Sequence, residues 1–184
     1  MSEEKSLQNV HVSLERIADK AVTFLPVGEE IQISKPNVGF VGAKLQRDDI
    51  TIGSIVTEKS LRSAVFSADN SSNVDTSKLQ ALVKIPASAL NQSQENVSLH
   101  SFIYRSSETT YHKNSQKKTT ASHIVSITIS GQKIQDLVSP INITFEVLSK
   151  AMNMTPNCSF WDIKKGMNTF FCKSEKLTCQ HILS

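Results

Sequence analysis

Ile124-Val-Ser-Ile-Thr-Ile-Ser-Gly131 alternates apolar and hydroxyl-bearing residues and then turns on glycine. Successive side chains of a strand point to opposite faces, so such a run offers one face to a core and keeps the other more polar. The same pattern extends outward from it. Residues 30–34, 38–45, 49–53, 63–67, 79–85 and 101–105 upstream, and 141–147 downstream, are short, β-branched or alternating runs separated by turn residues. Pro86 closes one of them, since proline cannot donate to a ladder. Short strands at this spacing predict a mostly β fold, an antiparallel β-sandwich. Residues 6–25 differ. Leu7, Val10, Leu14, Ile17, Ala21 and Leu25 recur at steps of three and four, which predicts a helix that Pro26 and Gly28 stop. Its apolar stripe is expected to dock on the segment that follows. The chain therefore divides into a helical segment, 1–28, and a β-sandwich, 29–184. Residues 68–78 and 106–120 are polar and read as exposed loops.

Composition narrows the function classes. A chain of 184 residues with 39% hydrophobic and 20% charged content is globular and long enough to bury a core. The net charge is only +3, and the densest basic spots, Lys117-Lys118 and Lys164-Lys165, read as solvated loop charges, so no nucleic-acid partner is expected. No apolar run approaches the roughly 18–20 residues that span a bilayer. The polar start, Met-Ser-Glu-Glu-Lys, carries no secretory signal. Taken alone, this suggests a cytosolic chain, such as an adaptor. The asparagines point the other way. Asn70, Asn91, Asn96, Asn142, Asn153 and Asn157 all lie in Asn-x-Ser/Thr, six of eleven asparagines, where chance at this Ser and Thr content predicts about two. An extracellular, glycosylated surface without a signal predicts that Met1 is not the natural start of a full secreted protein.

The last 27 residues hold the remaining chemistry. Cys158-Ser-Phe-Trp-Asp162 is followed by Cys172 and by Thr178-Cys179-Gln-His181-Ile-Leu-Ser184. Three cysteines outside the cell predict one disulfide of unknown pairing and one thiol left over. Their spacing does not fit zinc, and no metal or cofactor is expected. Phe160 and Trp161 read as core residues covering a disulfide. His181 and Ser184 are a candidate base and nucleophile, with the Leu183 carbonyl as the point of attack. His11, His100, His112 and His123 are scattered and read as surface or core histidines.

Cys158-x-Phe-Trp-Asp162, a second cysteine, then Thr-Cys-Gln and His-x-Leu-Ser resemble the GPCR proteolysis site (GPS) of adhesion G-protein-coupled receptors. Leu82-Val-Lys-Ile-Pro86, the run 124–131 and Leu137-Val-Ser-Pro-Ile-Asn-Ile-Thr-Phe145 resemble the strands before that site in the GAIN domain. The resemblance spans roughly residues 6–184, and polycystin-like membrane proteins share the domain. It implies a helical subdomain and then a β-sandwich, outside a seven-helix bundle at the extracellular face of the plasma membrane. It implies self-cleavage within His-Leu-(Ser/Thr): the histidine takes the hydroxyl proton, the oxygen attacks the leucine carbonyl, and the ester hydrolyses. The strand after the cut stays in the sandwich as a tethered agonist. The implied partners are that strand, the seven-helix bundle and an extracellular protein ligand.

The sequence departs from the family pattern at several points. The family motif has four cysteines and a second tryptophan before a Gly-Cys pair. Gly166-Met-Asn-Thr-Phe-Phe-Cys172 lacks that tryptophan. Either Cys179 is the third cysteine and the fourth is lost, or Cys179-Gln-His181 matches the fourth and Leu177 stands at the third. Ile182 places His181 three residues before Ser184 rather than two. One extra residue in a strand turns a side chain to the opposite face, so self-cleavage is expected to be impaired. A chain ending at Ser184 would be a truncated form, secreted or retained, or the N-terminal product of an autoproteolytic domain. It would lack the strand that follows, leaving a slot open to strand addition.

Overall fold

A computed structural model describes residues 2–67, 78–106, 110–113, 116–119, 122–132, 137, 139–148, 158–162, 166–170 and 177–181. An α-helix, α1 (Ser2–Thr23), leads into β1 (Glu30–Ser34), β2 (Val38–Gln46), β3 (Ile50–Val56), β4 (Leu61–Ser67), β5 (Ala81–Ile85), a short 3-10 turn (Ala87–Ala89) and β6 (Asn96–Tyr104). There follow β7 (Thr110–Lys113), β8 (Gln116–Thr119), β9 (Ile124–Ile129), β10 (Ile141–Phe145), β11 (Cys158–Asp162), β12 (Gly166–Phe170) and β13 (Leu177–His181). Two antiparallel sheets form, in the orders β1-β2-β6-β9 and β13-β10-β5-β3-β4, with separate hairpins β7-β8 and β11-β12. The fold is the mostly β sandwich behind one helix that the sequence predicts.

Alternation places the core between the sheets. Val41, Val97, Leu99 and Ile129 of the first sheet bury against Ile50, Ile52, Val83, Ile85 and Ile141 of the second. Ile103 joins Leu61 and Ala81 in a cluster at one end. Fully burying each of these Val, Leu and Ile side chains contributes about 1.5–3 kcal/mol. Gly131, at a φ of 71°, supplies the turn after β9.

The helix covers the other face of the first sheet. Ala18 and Val22 pack on Phe40 of β2 and Phe102 of β6, with Leu25, Ile31, Val38 and Tyr104 around them. This is why Leu99, His100, Ser101, Phe102 and Ile103 are all buried although consecutive residues of a strand face opposite ways. Gly42 permits the contact, because a Cβ there would lie 2.3 Å from Val22 Cγ1.

Three local expectations change. The helix docks on only part of the stripe read from the sequence: Leu25 packs against the sheet, but Leu14 is 40% and Ile17 66% exposed, and Glu15, Ala18 and Val22 face the sheet instead, while the side chains of Leu7 and Val10 lie outside the described residues. The face is chosen by what lies across from it, including hydrogen-bond partners for a carboxylate, and not by hydrophobicity alone. The expected loop at 106–120 contains the β7-β8 hairpin, in which Tyr111 pairs with Lys118 and His112 with Lys117. Polar strands carry no apolar alternation to reveal them. β6 begins at Asn96, five residues before the run read at 101–105. The expected loop at 68–78 lies outside the described residues except for Lys78.

Candidate functional site

Of the sequence-predicted site, the described residues place the strand ending at His181 at the edge of the second sheet. β13 pairs antiparallel with β10, Leu177 opposite Phe145, Cys179 opposite Ile143 and His181 opposite Ile141. Ile141 is buried in the inter-sheet core. Directly opposed residues share a face, so Leu177, Cys179 and His181 take register positions on the Phe145–Ile143–Ile141 side of the ladder. β11 and β12 form the hairpin before it, with Cys158 opposite Phe170, Phe160 opposite Asn168 and Trp161 opposite Met167. Cys172, Leu183 and Ser184 lie outside the described residues, as do the side chains of Cys158, Phe160, Trp161, Cys179 and His181. The structure thus brings the strand ending at His181 into the core-bearing sheet.

The sequons fall in unlike settings. Asn91 is exposed in the turn before β6, and its Oδ1 accepts hydrogen bonds from the Ser93 N–H (3.1 Å) and Oγ (2.9 Å). Asn96 is half-buried at the start of β6. Asn142 sits inside β10, between Lys84 of β5 and Gln180 of β13, with its Oδ1 buried and unbonded. Asn70, Asn153 and Asn157 lie outside the described residues.

Two buried polar groupings were not singled out by sequence reasoning. In the first, the Glu15 carboxylate accepts from His100 Nε2 at 2.6 Å, Ser126 Oγ at 2.5 Å and Thr128 Oγ1 at 3.0 Å. Ser130 Oγ donates to Asp19 at 2.5 Å one helical turn on. Burial alone would raise the Glu15 carboxyl. The bonds from His100, Ser126 and Thr128, with the charge of His100, outweigh it and hold the group below its ordinary value. His100 is wholly buried, and its Nδ1 has no partner. The sequence signal was present: Ser126, Thr128 and Ser130 are the polar half of the alternating run, and that half meets a helix rather than water. In the second, the Ser106 N–H donates to Nδ1 of buried His123 at 3.1 Å. Burial, and then the charge of Arg105, push the His123 ring below its ordinary value. His100 and His123 are therefore core histidines, while the side chains of His11 and His112 lie outside the described residues. Among the described residues no three His, Cys, Asp or Glu side chains gather as metal ligands, and no helix is long and apolar enough to cross a membrane.

A family model described as GPS, GAIN subdomain B, matches residues 47–181, from the residue after β2 to the end of β13. The chain belongs to the GAIN subdomain B (GPS) family. The motif-based resemblance to an adhesion-receptor GAIN domain is met at the level of family and fold. Among solved structures, this GAIN chain is similar to the full extracellular region of zebrafish Gpr126/Adgrg6, at 21% identity and a TM-score of 0.62. The likeness covers 83% of this chain and 22% of that one, so the GAIN chain spans about a fifth of the extracellular region it matches. No curated protein matches it by sequence. The family match begins at Arg47, yet β2 is an inner strand of the first sheet, so the sandwich of this GAIN chain reaches back before the matched residues.

Proposed function

We propose that this GAIN chain is the extracellular regulatory region of an adhesion G-protein-coupled receptor, that β13 leads into the receptor's tethered-agonist strand, and that the chain does not cleave itself. Residues 1–28 are then the end of a helical subdomain, and residues 29–184 the sandwich that holds the agonist strand outside the seven-helix bundle. The observation that carries the reading is the β10-β13 ladder, which ends with His181 opposite Ile141. Ser184 follows three residues later. If the chain continues extended, an odd spacing sets the two on opposite faces. Base and hydroxyl then miss the roughly 2.6–3.2 Å approach that proton transfer needs. The family match and the likeness to the Gpr126/Adgrg6 extracellular region support the receptor setting.

Intact mass spectrometry tests the cleavage statement. Carried in a receptor that continues past Ser184, the sequence is expected as one uncut polypeptide, whereas deletion of Ile182 restores His-Leu-Ser and is expected to yield two fragments. Full-length Gpr126/Adgrg6 carrying this chain in place of its matching region tests the regulatory statement. Surface-displayed receptor with lower basal signalling than the receptor lacking that region is expected. Equal signalling from the two would refute the holding role.

A further inference from the structure

One end of the sandwich is tied by a polar knot around Arg105, just past β6. Its backbone N–H donates to the Asn37 carbonyl at 3.0 Å and its Nε to the Pro36 carbonyl at 2.8 Å, both in the β1-β2 turn. Its Nη2 donates to the Thr57 carbonyl at 2.5 Å, in the β3-β4 turn of the other sheet. Arg105 therefore links the two sheets. The next residue, Ser106, donates its N–H to His123 Nδ1, which closes the base of the long connection between β6 and β9.

The geometry points to His123 as an acid-sensitive latch on this knot. Nδ1 accepts a backbone N–H, so its lone pair must be free and the ring neutral. A second proton on the ring converts Nδ1 to a donor, breaks the bond from Ser106 and sets a second cation against Arg105. The ring is only 6% exposed, so water does little to screen that repulsion. Among the described residues, Arg105 is the charged group that bears on the ring. Lys35, Glu58 and Lys59 on the two tied turns stand exposed. The sign follows from linkage: the folded ring takes its proton less readily than the unfolded one. The latch's stability is therefore present above the ordinary histidine value of about 6.5 and is lost as pH falls from there through the lowered folded value. A domain built this way is firm at neutral pH and loosens at one end when its surroundings acidify.

The test compares wild type with His123→Asn, whose Oδ1 replaces Nδ1 as acceptor without titrating. Wild type is expected to lose about 2–4 °C of Tm for the last pH unit between 7.5 and 5.5. The variant, with its other histidines intact, is expected to lose much less. An unchanged pH dependence in His123→Asn overturns the latch. If that variant does not fold, the wild-type imidazole titration decides by NMR. A midpoint below about 6.5, with exchange of the Ser106 amide rising through the same pH, supports the latch. A midpoint at or above 6.5, or an indifferent Ser106 amide, overturns it.

Discussion

Glu15 decides where the helix sits. One carboxylate gathers donors from β6 and β9, residues 85 to 113 positions away in the chain. Removing it leaves His100, wholly buried, with neither ring nitrogen paired. An orphaned buried polar group costs about 1–3 kcal/mol, so Glu15→Ala is expected to lower unfolding free energy by about that amount in urea titration at pH 7. The pH dependence has its own sign. The Glu15 carboxyl is held low in the fold, so its contribution is present above the ordinary carboxylate value and lost as pH falls through the lowered one. Wild type is expected to lose stability on acidification below about pH 4.5 more steeply than Glu15→Gln, a difference that melts at pH 5 and pH 3.5 measure. The sequons separate at the same scale. Asn91 is open in a turn, while Asn142 lies within a central ladder with its Oδ1 buried. Expression through the secretory pathway followed by glycopeptide mapping is expected to find glycan on Asn91 and none on Asn142.

Helix and sheet meet through one small residue. The Cβ of an alanine at position 42 would overlap Val22 Cγ1, so Gly42→Ala is expected to destabilise by about 1–3 kcal/mol. Val22→Ala alone costs buried area. Combined with Gly42→Ala it is expected to cost less than the sum, because the truncated side chain makes room, and a double-mutant cycle reads that coupling. The strands within the runs read at residues 30–34, 124–130 and 141–147 were legible because local alternation and strand parity are the same fact. The helix was legible as a helix but not in its facing. Leu14 and Ile17 satisfy the helical period as well as Ala18 and Val22 do. Only the strands that arrive later distinguish the two faces. β7 and β8 were missed because their residues are polar on both faces.

At the scale of the molecule, the first sheet is an inner layer, with the second sheet on one side and α1 on the other. Removing residues 1–25 strips the cover from Phe40, Phe102 and His100 but leaves the inter-sheet core of Val41, Leu99, Ile52 and Val83. The shortened chain is expected to keep its far-ultraviolet β signal, melt at a lower temperature and bind a hydrophobic dye that the whole chain does not. A near-native melt without dye binding would show that the helix is dispensable. The helix precedes the residues that match the family, so this packing extends the stable unit beyond the matched span.

Sequence alone determined the apolar strands of the two sheets up to residue 147, the helix, the sandwich class and the family, because each rests on patterns contained within a few neighbouring residues or one short motif. Tertiary structure alone decided which helix face is buried, that His100 and His123 are core groups with polar partners, and which sequons are open. Those outcomes depend on residues brought together from distant parts of the chain, such as Glu15 and Thr128, and no local period encodes what will stand across from a side chain once the sheets have formed.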